Sequence, residues 1–542
     1  MEAGFSRMND LTVIQASQGL CAYLTHVVPD AVGRGVVIGY DHRHHSRRFA
    51  RLAAAAFLHR GVAVHYLDDY VHTPLVPYGV KKLDAACGIM ITASHNPKKD
   101  NGYKVYWGNA CQIIPPHDEG IAASILQHTS PWTWDEGMVD RDELVRRPLI
   151  DLVSGYMKEL GDLSYHRDLN ATCPIPLVYT AMHGVGTPYV ERAMKVFGLP
   201  SPILFPDQCT PDPEFPTVPF PNPEEKGALD RVIKVLILAN DPDADRFSVA
   251  ERQLDGRWRT LTGNQIGILL AMGWVQDLGI KGGQGEGEGK GLAMVASAVS
   301  SKMLERVAKV EGFHFEERLT GFKWIGNGVI DLRHQGYKVP FAYEEAIGFM
   351  CGEIVPDKDG VSALVRFTEL ASRLAQGKVG GIKEGQGVWD YYQSLCDQYG
   401  HFHTGNSYFI CHDANVISAI FRRIRYGEGV SEEEVKSSRD FAFPQVIAGS
   451  KVVHVRDLTV GYDSLTDDHQ PTLPVSPGNG QMITFRLENG AAITLRTSGT
   501  EPKIKYYIEM QGKTEEDAAR LLDQVVKGSL EELIQPERHG LA

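Results

Sequence analysis

Three stretches of the chain carry side chains whose types and spacing suit phosphate chemistry. Gly88-Ile89-Met90-Ile91-Thr92-Ala93-Ser94-His95-Asn96-Pro97 starts as an apolar run and closes polar on a proline, so it reads as a buried strand that leaves its sheet at Thr92. Ser94 is thereby delivered to an exposed loop, with His95 and Lys104 as polar neighbours, which is a place for a nucleophile. An ordinary Ser/Asn/Pro turn has the same composition. A second apolar run, Val235–Asn240, delivers Asp241-Pro242-Asp243-Ala244-Asp245-Arg246. Carboxylates at i, i+2 and i+4 repel one another without a cation and suit a hard, oxygen-seeking dication such as Mg²⁺ held partly by a phosphate; a solvated acidic loop is the plainer alternative. A calcium loop of the EF-hand kind is excluded, since Arg246 and Arg252 stand where it needs Gly and Glu. In the third stretch, Arg496-Thr497-Ser498-Gly499-Thr500-Glu501-Pro502-Lys503-Ile504-Lys505, hydroxyls, a permissive glycine and flanking cations converge as an anion site would, against the alternative of a Ser/Gly turn.

The elements that must position these loops alternate strand and helix. Val36–Tyr40 reads as a strand, Ser46 as the cap of a helix through the alanine run to His59, Val62–Leu67 as a strand, and Leu75–Leu83 as a helix leading into the Ser94 strand. The cluster His42-Arg43-His44-His45-Ser46-Arg47-Arg48 reads as the solvated, partly anion-facing start of that first helix rather than as a metal site, because adjacent histidines do not share a helix face. A second alternation runs Ile175–Ala181, Thr187–Phe197, Ile203–Phe205 and on to the acidic loop. A third runs Leu292–Ala296, Ser301–Glu311, the turn Leu319–Lys323 and Val339–Tyr343, ending in Glu344-Glu345-Ala346-Ile347-Gly348. Lys358-Asp359-Gly360 then opens an amphipathic helix through Leu374. The last part is different in texture: strands at Ser407–Cys411, Val452–Val455, Met482–Leu487 and Ala491–Leu495, a hairpin at Glu488-Asn489-Gly490, and an amphipathic helix Glu515–Val526. The glycine-rich run 282–291 fits neither phosphate-loop pattern and reads as a linker.

Bulk properties narrow the setting. At 542 residues the chain exceeds one core, and length alone suggests about three or four domains. A net charge of −13 argues against a nucleic-acid or anionic-membrane surface and leaves a small molecule as the partner. Eight cysteines without metal spacing fit a reduced compartment, and no run approaches the roughly 18 apolar residues of a membrane span, so a cytoplasmic location follows by default.

The serine, acidic, Glu-Glu and Arg-Ser-Gly-Thr loops, in that chain order, resemble those of the α-D-phosphohexomutase superfamily of phosphosugar mutases, over nearly the whole chain. Thr92–Pro97 with Asp241–Arg246 is specific as a pair. Asn101-Gly102-Tyr103-Lys104-Val105-Tyr106-Trp107, Leu319-Thr320-Gly321-Phe322-Lys323-Trp324, Phe341–Gly348 and Arg496–Tyr507 are similar to the eukaryotic phosphopentomutase/phosphoglucomutase-2-type branch.

The resemblance implies an α/β fold: three similar α/β domains with mixed sheets (1–150, 151–260 and 261–403) and a C-terminal α+β domain (404–542) around a central cleft. It implies that Ser94, carried as phosphoserine, gives its phosphoryl group to one end of a sugar monophosphate. The bisphosphate turns round, and the other phosphoryl returns to Ser94. Mg²⁺ would sit on Asp241, Asp243, Asp245 and an oxygen of Ser94. Arg246 and Lys104 would add positive charge, with Lys104 or His95 as proton relay. Thr320, Gly321, Lys323 and Glu344 would bind the sugar phosphate, and Arg496, Ser498, Gly499, Thr500 and Lys505 the phosphate that is not reacting. A sugar bisphosphate, glucose 1,6-bisphosphate or ribose 1,5-bisphosphate, is the implied activator, and a monomer the implied state.

Three departures from the family pattern shape the functional expectation. Glucose-type members carry Gly-Glu-Glu-Ser in the sugar loop, where this chain has Tyr343-Glu344-Glu345-Ala346, so one hydroxyl is lost at Ala346 and pentose phosphates are expected over glucose phosphate. Between Glu225 and Val235 there is room for barely two helical turns, where relatives have a fuller helix. Relatives also begin some tens of residues earlier with a Gly-Thr-Ala-Gly-Leu-Arg segment whose arginine faces the phosphoserine loop. From that difference, residues 1–542 are expected to be poorly active and less stable than a form extended upstream, unless Arg43 or another cation fills the role. The expected function is a mutase of pentose 1- and 5-phosphates, with glucose 1- and 6-phosphates as further substrates. A sugar-bisphosphate synthase loading Ser94 from an acyl phosphate, or a non-catalytic phosphosugar-binding homologue, would keep the same motifs.

Overall fold

The apolar runs of the sequence are strands covered on both faces. In a computed structural model that describes all residues except 1, 6, 219–220, 222–235, 254–255, 281–289, 431–439, 476–479, 499–501 and 542, the chain falls into two units. One comprises Met1–Ser300 with Ala308–Tyr392, the other Ser301–Val307 with Gln393–Ala542.

The first unit holds three sheets of one plan. Its first sheet has strands β1 (Val36–Tyr40), β2 (Val64–Tyr70), β3 (Cys87–Ile91), β4 (Tyr103–Trp107) and β5 (Val145–Arg146), in the order β4-β3-β1-β2-β5. All neighbours are parallel except β4, which runs antiparallel to β3 with Ile91 opposite Tyr103. The second sheet has β6 (Leu177–Thr180), β7 (Ile203–Leu204), β8 (Leu236–Asn240), β9 (Phe247–Arg252) and β10 (Trp258–Thr260), in the order β10-β9-β8-β6-β7. The third has β11 (Leu292–Ser297), β12 (His314–Arg318), β13 (Lys338–Glu344) and β14 (Gly348–Cys351), in the order β12-β11-β13-β14. In each sheet a buried strand with parallel neighbours (β3, β8, β13) turns directly into an antiparallel partner (β4, β9, β14). The three turns are the serine loop, the acidic loop and the Glu-Glu loop. The fold thus presents each at the buried carboxyl end of a strand, where ligands bind in open α/β sheets.

The helix Ser46–His59 covers the first sheet with its alanines, and Ala53 to Ala56 are wholly buried. Ser46, expected from the sequence to be its cap, is not. His45, at φ 69°, stands in the cap position, and the Ser46 hydroxyl instead donates to Asp41 Oδ1 at 2.6 Å inside the core. The helix Gly360–Ala375 departs from expectation too. It is buried on every side rather than amphipathic, because its charged residues pair internally: Arg366 and Arg373 hold the two oxygens of Asp277 at 2.5 and 2.6 Å, and Arg366 holds Glu369 at 2.5 Å.

The second unit is built on one antiparallel sheet, with β15 (His401–Ile410), β16 (Val446–Ile447), β17 (Ser450–Asp457), β18 (Tyr462–Asp463), β19 (Met482–Leu487), β20 (Ala492–Thr497) and β21 (Lys503–Gly512), in the order β15-β21-β20-β19-β17-β16 with β18 on β17. The expected hairpin joins β19 to β20, and the helix Glu515–Ser529 packs its apolar face on the sheet. All eight cysteines are free. Among the described residues no helix is long and apolar enough to cross a membrane. The glycine-rich residues 282–289 and the 226–234 segment lie outside the described residues.

Candidate active site

Ser94 is held in place by its own neighbours. Strand β3 ends at Ile91, the Thr92 amide donates to the Gly102 carbonyl across to β4 at 3.1 Å, and the Thr92 hydroxyl accepts the Ser94 amide at 2.9 Å. This tight turn puts Ser94 at φ 52°, the left-handed region that a residue with a Cβ occupies at a cost. The side chain is half-buried rather than exposed. Its Oγ donates to Asp241 Oδ2 at 2.7 Å and lies 3.2 Å from His95 Nδ1. Beneath the loop, Arg43 donates to four of its carbonyls: Nη2 to Ser94 and Asn96 at 2.6 Å each, and Nη1 to Pro97 at 2.9 Å and Asp100 at 3.3 Å. The solvated helix start expected at His42–Arg48 therefore begins only at His44. His42 and Arg43 are 3% exposed.

Opposite Ser94, β8 delivers Asp241, Asp243 and Asp245, exposed by 0, 0 and 1%. Ala244 at φ 52° reverses the chain between the last two, and one ligand oxygen from each of the three lies within 4.8 Å of the others. Lys104, from β4, donates to Oδ2 of Asp243 at 2.8 Å and of Asp245 at 2.9 Å. Thr73 also donates to Asp243 Oδ2, at 2.6 Å, and the Arg246 amide donates to Asp241 Oδ1 at 3.0 Å. Oδ1 of Asp243 and Oδ1 of Asp245 are buried without a hydrogen-bond partner. Two orphaned carboxylate oxygens beside a third carboxylate are the donor set a hard dication takes, so these residues fit a metal ion.

The charges bear this out. Burial, with Asp243 and Asp245 alongside, pushes Asp241 well above the usual carboxylate range. Burial would raise Asp243 as well, but Lys104 outweighs it and holds the group below its ordinary value. Lys104 in turn is kept firmly protonated: burial works against its charge, and Asp243 and Asp245 overcome it. Burial, reinforced by Arg246, keeps His95 well below the usual imidazole range, so at neutral pH it is an uncharged acceptor.

The Glu-Glu loop is stitched to the acidic loop by the backbone. Arg246 bridges Gly348, and the Phe247 amide donates to the Ile347 carbonyl at 3.2 Å. Glu344 is buried, which raises its pKa against the pull of Lys358 and Arg246. Glu345 turns inward to accept from Ser297 at 2.8 Å, and Ala346 is the half-exposed member of the loop. Lys358 lies 3.5 Å from Asp245, 3.6 Å from Asp357 and 5.3 Å from the Phe322 ring. Phe322 opens the helix Phe322–His334, whose start carries Thr320, Gly321 at φ 101° and Lys323, the last with its Nζ over Trp324. The buried Thr320 hydroxyl has no hydrogen-bond partner. Glycine at 360 is required by the close approach of the helix it begins: a Cβ there would stand 2.2 Å from the Arg246 carbonyl oxygen.

Ser94, His95, Lys104, Arg246, the three aspartates and Glu344 thus come together within the first unit. Arg496, Ser498 and Lys505 belong to the second. There Arg496 donates to the Tyr507 hydroxyl at 3.2 Å and pairs across strands with Lys505, and the Ser498 amide closes on the Lys503 carbonyl at 3.0 Å. Gly499 and Thr500 lie outside the described residues. Two residues of the site escaped the sequence reading, Thr73 and Lys358, the latter read only as a helix opening. Arg43 was named as a cation that could serve the phosphoserine loop, although the charged cluster around it read as solvated. Thr73 carried no local signal.

Residues 1–131, 154–256 and 262–399 match, in order, α/β/α domains I, II and III of the phosphoglucomutase/phosphomannomutase family. The chain is 45% identical to a phosphopentomutase of Mus musculus, over all of this chain and 87% of that protein. It is 44% identical to a glucose 1,6-bisphosphate synthase of Homo sapiens, also over all of this chain and 87% of that protein. Among solved structures, parafusin, a phosphoglucomutase of Paramecium, superposes with a TM-score of 0.68 at 19% identity, covering 97% of this chain and 92% of the other.

Proposed function

We propose that this chain, which belongs to the phosphoglucomutase/phosphomannomutase family, is a phosphosugar mutase that interconverts the 1- and 5-phosphates of ribose and deoxyribose through phosphoserine at Ser94, and turns over glucose 1- and 6-phosphates as further substrates. The observation that carries the reading is the meeting of the Ser94 hydroxyl with Asp241 at 2.7 Å, beside two more buried aspartates that share the one positive charge of Lys104. That arrangement sets a nucleophilic hydroxyl beside the donor set of a hard dication, as phosphoryl transfer requires.

In the forward half-reaction a sugar hydroxyl attacks the phosphorus of phosphoserine-94, the P–Oγ bond breaks, and the hydroxyl proton leaves to a base. In the second half the Ser94 hydroxyl attacks the other phosphoryl group of the bisphosphate and gives up its own proton, the P–O bond to the sugar breaks, and the sugar oxygen takes a proton. His95, uncharged and 3.2 Å from Oγ, is the residue placed to take and return that proton. Lys104, locked on two carboxylates, supplies positive charge instead. Asp241, Asp243, Asp245 and an oxygen on Ser94 would hold Mg²⁺, which when bound neutralises charge spread over the phosphoryl oxygens. Glu344, beside Arg246 and Lys358, is the group offered to sugar hydroxyls, and Arg496, Ser498, Gly499, Thr500 and Lys505 would hold the idle phosphate.

The relatives named glucose 1,6-bisphosphate synthase, at 44% identity over the full chain, favour a second reading, in which Ser94 is loaded by an acyl phosphate and the bisphosphate is released. Coupled assays with ribose 1-phosphate and glucose 1-phosphate, with and without a sugar bisphosphate activator, separate the two. The mutase reading expects faster turnover of ribose 1-phosphate and dependence on the activator. Net accumulation of bisphosphate from an acyl phosphate donor would establish the synthase instead, and no turnover of any of these would overturn both.

A further inference from the structure

The two oxygens of Asp243 meet different surroundings. Oδ2 accepts the Thr73 hydroxyl at 2.6 Å and the Lys104 ammonium at 2.8 Å, whereas Oδ1 is buried without a hydrogen-bond partner. A carboxylate oxygen has two lone-pair sites, so two short donors fill Oδ2 and leave further bonding to Oδ1 alone. Asp241 is treated more evenly. It takes one donor on each oxygen, the Arg246 amide at 3.0 Å and the Ser94 hydroxyl at 2.7 Å.

Thr73 and Lys104 differ in how firmly they are held. Thr73 lies in the turn between β2 and the helix Leu75–Leu83 and is 1% exposed. Its amide donates to the Asp243 carbonyl at 2.9 Å, so main chain and side chain grip the same aspartate. Its own carbonyl accepts from the Val76 amide at 3.1 Å as the helix starts. On the other side, His72 is wholly buried, with its ring centroid 3.9 Å from that of Tyr189 in the helix Thr187–Phe197. A β-branched side chain on a backbone fixed in this way has little freedom at χ1, so its hydroxyl stays on Oδ2. Lys104, at the end of a long chain, divides its ammonium between Asp243 and Asp245.

We propose that Thr73 is a positioning residue for the metal: by occupying Oδ2 it keeps Asp243 a one-oxygen ligand, and so makes the aspartate site prefer Mg²⁺ to Ca²⁺. Mg²⁺ demands a near-ideal octahedron and is served by single oxygens aimed in advance. Ca²⁺ takes more oxygens at longer distances, in looser geometry, and accepts both oxygens of one carboxylate. Without the hydroxyl, a lone pair of Oδ2 is released and the carboxylate is free to turn or to offer both oxygens. Mg²⁺ then loses more than Ca²⁺ does. The inference rests on the reading of the three aspartates as a metal site.

Calorimetric titration of the full chain with Mg²⁺ and, separately, with Ca²⁺ tests it, with wild type beside Thr73→Val and Thr73→Ser. The valine variant keeps the branched shape and the amide contact and lacks the hydroxyl. It should bind Mg²⁺ about tenfold more weakly or worse, the usual effect of removing an outer hydrogen bond from a metal ligand, and lose less than about threefold for Ca²⁺. Thr73→Ser should restore both affinities. Melting curves in metal-free buffer show whether the valine variant folds; if it does not, Thr73→Ala takes its place against Thr73→Ser. Unchanged Mg²⁺ affinity overturns the inference. An equal loss for both ions, or a serine variant as weak as the valine one, also overturns it and marks a structural role only. A wild type that binds no Mg²⁺ overturns the metal site itself, and this inference with it.

Discussion

Ser94 sits at φ 52° and yet is no glycine, so a backbone cost of roughly 1 kcal/mol is accepted for the sake of its hydroxyl. Both Ser94→Ala and Ser94→Gly should lose turnover and, by intact mass, lose the phosphate. They should differ in stability, with the glycine variant about 1 kcal/mol the more stable because it alone relieves the left-handed strain, as paired urea melts would show. A wild-type rate from either would end the phosphoserine reading. Asp243→Asn removes one carboxylate oxygen now orphaned and leaves Lys104 with one charged partner fewer. Calorimetry should therefore find Mg²⁺ binding weakened at least tenfold, and unchanged affinity would place the metal elsewhere. Residues of this kind were legible in the sequence because their chemistry is local: a serine after a strand, or three aspartates at alternate positions, announce themselves. Arg43, Thr73 and Lys358 do not. What each does in the site is set chiefly by carbonyls and carboxylates tens to hundreds of positions away, which the local sequence does not encode.

At the scale of elements, the site depends on how closely the loops are pressed together. Gly360→Ala would drive a methyl group to 2.2 Å from the Arg246 carbonyl and 2.6 Å from Asn240 Nδ2. Because the obstacle is backbone, the variant should lose about 2 kcal/mol or more of stability and most of its turnover, the first read by denaturant melts, the second by the coupled assay. On the proposed function, Ala346, the half-exposed member of the Glu-Glu loop, is expected to bear on choice of sugar rather than on stability. Ala346→Ser should raise glucose 1-phosphate turnover relative to ribose 1-phosphate by a few-fold to tenfold, and an unchanged ratio would move specificity to other residues. The buried strands β1, β3, β8, β11 and β13 were readable as continuous apolar runs. Their antiparallel partners were not. β4 is mostly half-covered and mixes aromatic with polar residues, and β9 and β14 follow directly on loops whose composition dominates the local signal. The helix Gly360–Ala375 was misread because Arg366, Glu369 and Arg373 look like a wet face until Asp277 is known to lie against it.

Across the whole molecule, acid should act through buried histidines. Burial lowers His42 to about 4 and His72 to about 3, both from an unfolded value near 6.5. Folded pKa values below the unfolded ones mean that stability is full above pH 6.5 and falls as pH drops, since the unfolded chain takes up protons that the folded one refuses. From pH 6.5 to 4.5 each such histidine removes about 2 kcal/mol. His72→Phe preserves the ring packing on Tyr189, centroids 3.9 Å apart, and should reduce the fall by that amount in melts across this range; a slope equal to wild type would assign the acid sensitivity to other groups. The grip of Arg43 on the carbonyls of Ser94, Asn96 and Pro97 has a different kind of consequence. A phosphoryl acceptor clamped in this way is stationary, which leaves the doubly phosphorylated sugar as the moving part. The outcome then rests on a race between tumbling and escape. A sugar that tumbles first closes the cycle, while one that escapes first is a product in its own right and leaves Ser94 to be reloaded by another phosphoryl donor, so the two activities named among the relatives would differ in this partition and in the use of that donor.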